Sequence, residues 1–265
     1  MQQRHQNRYQ YFQELANTSR EYYLNYLRDH VKPGPSVRIL EIGCGEGGNL
    51  LPFAEAGCQV TGIDISEGRI EQARQYFTAH HVSGSFLSQD FLEAVPPKSE
   101  AERYDLVLMH DVIEHIEPPF KERFLAHIKP FLKQGGHVFI GFPAWQMPFG
   151  GHQQISRGLA SKLPYIHLLP NPVYLSMIRM SGNSKERVEE LRSVKRARMP
   201  IERFERLAHS AGFRIAKRTL WLINPHYKQK FNLRPRLLWH WAASLPYVRN
   251  FYTTSAFYLL EDAEE

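Results

Sequence analysis

The sequence predicts an α/β fold in which a mostly parallel sheet carries helices on both faces. Short apolar runs alternate along the chain with segments whose apolar residues recur at the three- and four-residue spacing of a helix. The first apolar run leads directly into a glycine-rich turn that opens a helix. Strands that alternate with helices at this spacing are typical of a parallel sheet, because each parallel connection must cross the sheet.

Seven apolar runs are predicted to be strands. In chain order they are "VRILEIG", "QVTGIDIS", "SGSFLSQDF", "YDLVLMHD", "HVFIGFP", "FRIAKRTLWLI" and "FYTTSAFYLLE". Helices are predicted over residues 9–30 and over "GNLLPFAEAG", "EGRIEQARQYFTAHHV", "PPFKERFLAHIKPFL" and "PIERFERLAHSAGF". The last of these has proline in its first turn and glycine after its end, as helices often do.

Two stretches interrupt this alternation, and we predict that they are insertions within one domain. Residues 146–198 contain a loop rich in Gly, Pro and aromatic residues, then short helices and the charged helix "SKERVEELRSVKRA". Residues 224–250 separate the last two strands and are too long for a hairpin turn. We therefore expect an N-terminal helical cap (1–35), a core (36–145), the 146–198 insertion or lid, and a segment that completes the core (199–265).

The composition is that of a folded globular protein with a basic surface. Hydrophobic residues make up 43% of the chain, and the net charge is +6. Residues 179–218 hold twelve Lys or Arg against five Glu, which suits phosphate-bearing substrates, nucleic acid or an anionic membrane, or a merely solvated helix face. The sequence has neither an uncharged apolar run of about 18 residues nor the pattern of a secretory signal at its start. We expect a cytoplasmic location.

A glycine-rich turn follows the first strand. Gly43, Gly45 and Gly47 allow a tight turn and let a ligand approach the backbone closely, and Glu41 lies two residues before them. Gly43, Gly45 and Gly48 also have the G-x-G-x-x-G spacing of nicotinamide-binding turns, with Gly47 as an additional glycine, so this turn alone leaves a nicotinamide cofactor open as the less favoured alternative.

Two acids follow the next two strands. Asp64 ends the second strand, 21 residues after Gly43, where an acid can accept hydrogen bonds from a ribose diol. Asp90 follows the third strand, and Phe91 beside it offers a ring for stacking.

Four segments together resemble the class I S-adenosylmethionine-dependent methyltransferases: "ILEIGCGEGGNLLPFAEAGCQVTGIDIS", "SQDF", "YDLVLMHDVIEHI" and "GGHVFIGFP". Within that superfamily they are similar to the small-molecule group that includes the quinone-biosynthesis O-methyltransferases. The resemblance covers residues 36–145 and resumes for the final helix and two strands. It implies a Rossmann-like sheet of seven strands whose last strand is antiparallel and lies between the fifth and the sixth.

The resemblance also implies S-adenosylmethionine as cofactor and residues 36–145 as its binding core. The turn with Glu41 would surround the methionine moiety, Asp64 would bind the ribose hydroxyls, and Asp90 with Phe91 would hold the adenine. His110, at the end of the fourth strand, would contact the methionine end. The complete cofactor-binding set is Glu41, Gly43, Gly45, Gly47, Asp64, Ile65, Asp90, Phe91, His110 and Asp111.

Asp111, Glu114 and His115 are candidates for chemistry on the acceptor. Their spacing predicts that they share one face of a helical turn. Some quinone and small-RNA methyltransferases carry a similar acid-x-x-Glu-His set that can hold a divalent cation, but this chain has Asp at the first position. We assign no residue to a metal, although the pattern leaves a divalent ion open, beside His115 as a general base or a purely structural role.

A second cluster follows the fifth strand. Its aromatic residues, the Gly150-Gly151 pair and His152 fit a lid over an acceptor at the carboxyl end of the sheet, or an ordinary surface loop. His152 is therefore a second candidate base, so His115, His152 and Glu114 form the catalytic set.

The predicted function is S-adenosylmethionine-dependent methyl transfer to oxygen of a small molecule or of a lipid or glycan precursor. The alternatives are an RNA or tRNA methyltransferase and a non-catalytic S-adenosylmethionine-binding protein. Arg234–Asn250 has Leu, Trp and Tyr bounded by arginines, as an interfacial helix has. We favour burial of this stripe against the sheet, which leaves an anionic or lipid-linked acceptor and peripheral membrane contact open as alternatives. Nucleic acid is disfavoured as a partner because the sequence shows no recognised RNA-binding module. The oligomeric state is not predicted.

Overall fold

The structure is a computed structural model that describes residues 7–263. Eight strands form one mixed sheet with the spatial order β3-β2-β1-β4-β5-β8-β6-β7. They are β1 Arg38–Ile42, β2 Gln59–Asp64, β3 Ser85–Ser88, β4 Tyr104–His110, β5 Leu132–Phe142, β6 Phe213–Ile223, β7 Arg236–Leu237 and β8 Ser255–Asp262.

The sheet topology confirms the predicted fold class. Strands β1 to β5 pair in parallel, and β8 lies antiparallel between β5 and β6. The predicted count of seven strands misses β7, which lies within residues 224–250 and pairs with the outer edge of β6. Both residues of β7 are exposed, so this strand leaves no apolar run in the sequence.

The helices connect these strands and cover both faces of the sheet. The α-helices are α1 Arg8–Thr18, α2 Leu24–Leu27, α3 Leu51–Glu55, α4 Glu67–Ala79, α5 Lys121–Ala126, α6 Asn171–Met180, α7 Lys185–Ala197, α8 Ile201–Ser210, α9 His226–Phe231, α10 His240–Ala243 and α11 Arg249–Tyr252. A π-helical turn, Ser19–Tyr23, joins α1 and α2.

The hydrophobic core has two layers because successive side chains of a strand point to opposite faces of the sheet. In β4, Leu106 and Leu108 pack with α1, α2 and α4 on one face. Val107 and Met109 pack with α5 and α8 on the other. Residues 146–198 enclose a small apolar cluster of their own around Tyr174.

The stripe in Arg234–Asn250 does not bury against the sheet, so that prediction is wrong. Trp239 and Trp241 are 54% and 64% exposed, whereas Leu238 and Ala242 beside them are buried. Short elements explain this, because β7 and α10 offer too few residues for a continuous packed face. Within residues 7–263, no helix is long and apolar enough to cross a membrane.

Candidate active site

The parallel register brings the carboxyl ends of the central strands to one edge of the sheet. Ile42 pairs with Ile63 on one side and with Met109 on the other, so the residues that follow β1, β2 and β4 are neighbours. This is the edge at which open α/β sheets bind ligands. The candidate site residues lie along it.

The glycine turn after β1 depends on left-handed backbone. Gly43, Gly45 and Gly47 have φ of 72°, 52° and 80°, a region that residues with a Cβ rarely adopt. A Cβ at Gly43 would collide with Val112, whereas a Cβ at Gly45 would have no atom within 4 Å. The backbone at Gly45 is therefore the part of the turn that faces open space.

Glu41 is almost wholly buried beneath this turn. Its Oε1 accepts a hydrogen bond of 2.7 Å from Asn49 Nδ2. Burial raises the pKa of the Glu41 carboxyl to about 8, against the lowering effect of the Asn49 hydrogen bond. Glu41 Oε2 and Asn49 Oδ1 have no hydrogen-bond partner among residues 7–263. Two polar oxygens are thus buried beside the turn without a partner.

Asp64 ties the end of β2 to the glycine turn. Its Oδ2 accepts from the Gly45 amide at 2.9 Å, and its Oδ1 accepts from the Ser66 amide at 2.9 Å. Each carboxylate oxygen retains a further lone pair. The next side chain, Ile65, is 80% exposed at the same edge.

Asp90 and Phe91 behave differently from each other. Asp90 is exposed, and its Oδ1 accepts from the Leu92 amide at 2.9 Å to cap a short 3-10 turn. The Phe91 ring is 3% exposed and packs in the core with Phe124 and Phe131, at centroid distances of 5.3 and 5.0 Å. The stacking role expected of the Phe91 ring is therefore wrong, because the turn points this side chain into the core.

His110 and Asp111 end β4. The His110 ring packs against Tyr23 and Phe257, and its Nε2 has no hydrogen-bond partner within residues 7–263. His110 Nδ1 lies 3.4 Å from Asp111 Oδ2. Although burial raises the pKa of the Asp111 carboxyl, the neighbouring His110, by its charge and its hydrogen bond, lowers the pKa overall. Asp111 is therefore an anion, half exposed in a concave part of the surface.

The segment after Asp111 is a turn and not the predicted helical turn. Asp111 itself has a left-handed backbone, with φ of 55°, which separates it from the turn at residues 113–115. The group whose potential ligand atoms all lie within 4.8 Å of one another consists of Glu114, His115 and His152. The expectation that Asp111 shares a face with Glu114 and His115 is therefore wrong, and His152 takes its place beside them.

Glu114 is buried, and neither of its carboxyl oxygens has a hydrogen-bond partner in the described part of the chain. Burial and the nearby Asp111 charge raise the pKa of Glu114 well above its usual range. Lys121 is also fully buried and donates to the Ile113 carbonyl. Burial lowers the pKa of Lys121 to about 7.

His115 and His152 form an edge-to-face pair with ring centroids 5.0 Å apart. Burial lowers the pKa of the His115 imidazole. The pKa of the His152 imidazole is lowered to about 4, chiefly by burial and also by the neighbouring His115. Both imidazoles are therefore neutral near pH 7. His152 also has left-handed backbone, with φ of 55°, and such strained residues cluster at functional sites.

Two cavities meet at this edge of the sheet. The glycine-side cavity, about 160 Å³, is lined by residues that include Gly45, Asn49 and His110. The His152-side cavity, about 270 Å³, is lined by residues that include His152, Phe149 and Lys230. Tyr11 and Asp111 line both cavities. Two ligands bound in the two cavities would therefore meet at Asp111.

Several residues of the two cavities are not predicted from the sequence. They come from the N-terminal helix, from α4 and from the 224–250 insertion: Tyr11, Arg69, Asn224, Tyr227 and Lys230. Helix α9 contacts α1 through Thr18 Oγ1, which lies 3.1 Å from His226 Nδ1. It contacts the π-helical turn after α1 through an ion pair of 2.6 Å between Lys228 and Glu21. In the sequence, Tyr11 is only one member of an apolar helical face, and nothing links it to residues more than 200 positions away.

Residues 39–136 match the family model described as a methyltransferase domain. The solved magnesium protoporphyrin IX methyltransferase of Synechocystis PCC 6803 with bound SAH has a TM-score of 0.54 to this chain. It is 16% identical, over 93% of this chain and 83% of its own. A methyltransferase of Clostridium acetobutylicum, described as S-adenosylmethionine-dependent, has a TM-score of 0.58 at 9% identity, over 92% of this chain and 91% of its own. The chain therefore shares the fold of these methyltransferase structures, and the family match lies in the part of the sheet that carries the glycine turn.

Curated relatives are similar to part of the chain. The ubiquinone biosynthesis O-methyltransferase of Bartonella quintana is 30% identical over 152 residues, which are 55% of this chain and 60% of the relative. The ubiquinone biosynthesis O-methyltransferase of Chelativorans sp. is 33% identical over 128 residues, which are 44% of this chain and 49% of the relative. The matched region thus spans about half to three fifths of these relatives.

Proposed function

We propose that the protein transfers the methyl group of S-adenosylmethionine to a hydroxyl oxygen of a small molecule. The observation that carries this proposal is the meeting of the two cavities at Tyr11 and Asp111. A methyl transfer is an in-line substitution, and it requires two ligands to be held end to end with water excluded. The names of the ubiquinone O-methyltransferase relatives support oxygen as the acceptor atom.

The glycine-side cavity is the proposed cofactor site. S-adenosylmethionine carries its transferable methyl on a cationic sulfur and supplies the electrophile. The open backbone at Gly45 leaves room for it, and the unpartnered oxygens of Glu41 and Asn49 fit its ammonium group. Gly43, Gly47 and His110 would contact the methionine end of the cofactor, and Asp111 would lie beside its sulfonium.

The other end of the cofactor would extend along the carboxyl ends of β2 and β3. The free lone pairs of Asp64 fit the ribose hydroxyls, and the exposed Ile65 side chain fits one face of the adenine. Asp90 would accept from the adenine amino group. The Phe91 side chain takes no part, because it is buried in the core.

On the acceptor side, we propose that His152 accepts the hydroxyl proton. It lines the His152-side cavity, and its lowered pKa keeps it neutral and able to accept a proton at neutral pH. His115, edge-to-face against it, and Glu114, with Oε1 at 3.9 Å from His115 Nε2, are positioning residues. A divalent cation also fits Glu114, His115 and His152, whose donor atoms are mutually within 4.8 Å, and it would lower the pKa of a bound hydroxyl.

The segments outside the core would close the acceptor site. We propose that residues 1–35 form a cap and that residues 146–198 and 224–250 act as insertions, because α1, the loop after β5 and α9 all line the His152-side cavity. Lys230 in this cavity favours an anionic acceptor, such as one with a carboxylate or phosphate group.

An acceptor screen tests the proposed function directly. Hydroxylated aromatic acids, quinols and glycosyl precursors are incubated with the full chain and S-adenosylmethionine, and S-adenosylhomocysteine release is measured. We expect turnover with a hydroxylated acceptor and none with the same acceptor already O-methylated. Turnover that persists with the O-methylated compound would place the methyl group on another atom.

We also propose that the exposed apolar surface formed by Leu237, Trp239, Trp241, Leu245 and Tyr247 contacts a membrane peripherally. These side chains are 44% to 64% exposed, and the two indole rings stack 6.2 Å apart. Exposed Trp and Tyr flanked by arginines are typical of interfacial segments. Such a surface would give the enzyme access to a lipid-linked acceptor.

Replacing both Trp239 and Trp241 with alanine should weaken binding to anionic phospholipid vesicles about tenfold or more, because each indole loses the apolar area that it would bury. Vesicle co-sedimentation measures the change. The folded structure should be unaffected, since both side chains are exposed. Equal sedimentation of the wild type and the double variant would remove this surface from membrane contact.

A further inference from the structure

A basic groove lies apart from the two cavities of the proposed methyl-transfer site. It runs between the end of α7, the first half of α8, the loop after β5 and the segment before α11, and its volume is about 720 Å³. Lys195, Arg198, Arg203 and Arg206 line it on one side. Within the described residues, no residue lines both this groove and either of the two cavities.

The cations of the basic groove are not neutralised by neighbouring acids. Among residues 7–263, Arg198, Arg203 and Arg206 form no ion pair with a carboxylate, whereas the nearby Arg196 pairs with Glu117 at 2.9 Å. Burial and the repulsion of Arg198 and Arg206 lower the pKa of Arg203. Like charges held this close favour an anionic ligand between them.

Glu202 is the acid that lines the groove in the described part of the chain, and its carboxylate is already hydrogen-bonded. Glu202 Oε1 accepts from the Tyr247 amide at 2.8 Å and from Arg249 Nε at 2.9 Å. Glu202 Oε2 accepts from Asn250 Nδ2 at 2.7 Å. This carboxylate therefore fixes the segment 247–250 against α8 and does not neutralise the arginines of the groove.

Two buried polar atoms of the groove lack a partner. His167 is fully buried, and its Nε2 lies 2.8 Å from the Trp145 carbonyl, to which it must donate. Its Nδ1 is then an acceptor without a hydrogen bond, and Gln146 Oε1 is another. Buried acceptors of this kind are normally satisfied, which indicates a ligand that carries hydroxyl or amino donors.

We propose that the basic groove binds a phosphate-bearing small molecule. Arg198, Arg203 and Arg206 would contact the phosphate, for which the guanidinium group is well suited. His167 and Gln146 would accept hydrogen bonds from hydroxyl groups of the same ligand, and the partly exposed rings of Tyr247 and Phe251 would cover its apolar part. The phosphate belongs either to a lipid headgroup or to a soluble phosphate ester, since both present the same chemistry.

The test is calorimetric titration of the full chain with inorganic pyrophosphate. We expect saturable binding that weakens about 10- to 100-fold in the Arg203→Gln/Arg206→Gln variant, because two charge-assisted contacts are lost. The matched control, Arg179→Gln/Lys185→Gln, removes the same charge from exposed positions outside the groove and should bind as the wild type does. Equal affinity in all three proteins, or equal weakening in both variants, would overturn the proposal.

Additional binding experiments distinguish a lipid headgroup from a soluble phosphate ester, and a second variant is available if the double variant does not fold. Binding to phosphatidate vesicles, but not to phosphatidylcholine vesicles, with displacement by pyrophosphate would assign a lipid headgroup. Pyrophosphate binding without displaceable vesicle binding would assign a soluble ester. Binding of a single-stranded RNA without binding of pyrophosphate would reject the proposal in favour of nucleic acid.

If the double variant shows no thermal unfolding transition, the single variant Arg198→Gln replaces it, and its pyrophosphate binding is likewise expected to be weaker than that of the wild type.

Discussion

Gly45→Ala is expected to lose S-adenosylmethionine affinity, whereas Gly135→Ala is expected to keep it. The two glycines form a matched pair, because both have positive φ, 52° and 71°, and a Cβ at either would have no atom within 4 Å. The backbone strain of each substitution should therefore cost a similar amount, about 1 kcal/mol. Only Gly45 lines the glycine-side cavity.

The expected loss in Gly45→Ala is about 10- to 100-fold in Kd, since one added methyl group in a filled site typically costs about 1–3 kcal/mol. Calorimetry with S-adenosylmethionine measures the affinity, and thermal unfolding of the two variants without ligand checks that they are equally stable. Unchanged affinity in Gly45→Ala would place the cofactor away from this turn. A parallel loss in Gly135→Ala would assign the effect to stability.

His152→Ala should lower kcat by about 10²- to 10⁴-fold, the usual contribution of a general base, while the affinity for S-adenosylmethionine stays the same. His115→Ala should lower kcat less, because His115 does not line the His152-side cavity. Steady-state rates of the two variants at saturating cofactor measure the difference. Equal losses in both, with activity abolished by a chelator and restored by a divalent salt, would assign the cluster to a cation and not to a base.

The pH profile gives an independent check on His152. Its pKa is lowered to about 4, so the imidazole is deprotonated and able to accept a proton over the whole neutral range. As pH falls through this pKa, protonation removes the base. We expect kcat/KM to hold down to about pH 5 and to fall below it, whereas an unperturbed histidine would lose activity near pH 6.5. A decline centred at pH 6 to 7 that is absent in His115→Ala would point to His115 as the base.

The fold is largely predictable because its signals are local. Each central strand is a continuous apolar run, and the connecting helices have their own periodicity, so the alternation predicts the parallel sheet. The antiparallel position of the last strand came from the family resemblance, and the β5–β8 pairing confirms it. Strand β7 was missed because two exposed residues carry no periodic signal.

The site was only partly predictable, because side-chain direction depends on single backbone angles. The motif placed Phe91 and Asp111 at the correct edge of the sheet, but a short turn buries the Phe91 ring and a left-handed φ separates Asp111 from Glu114. The proximity of His115 and His152 and the position of Tyr11 depend on tertiary packing between segments far apart in the sequence.

Titration of the wild-type chain with S-adenosylmethionine is the most direct test of the central claim. The proposed site predicts saturable binding of one molecule per chain, competed by S-adenosylhomocysteine and strongly weakened in Asp64→Ala, which loses both the ribose contact and the hydrogen bond that holds the Gly45 amide. A flat titration of correctly folded protein, with no heat and no shift in thermal midpoint, would contradict the account.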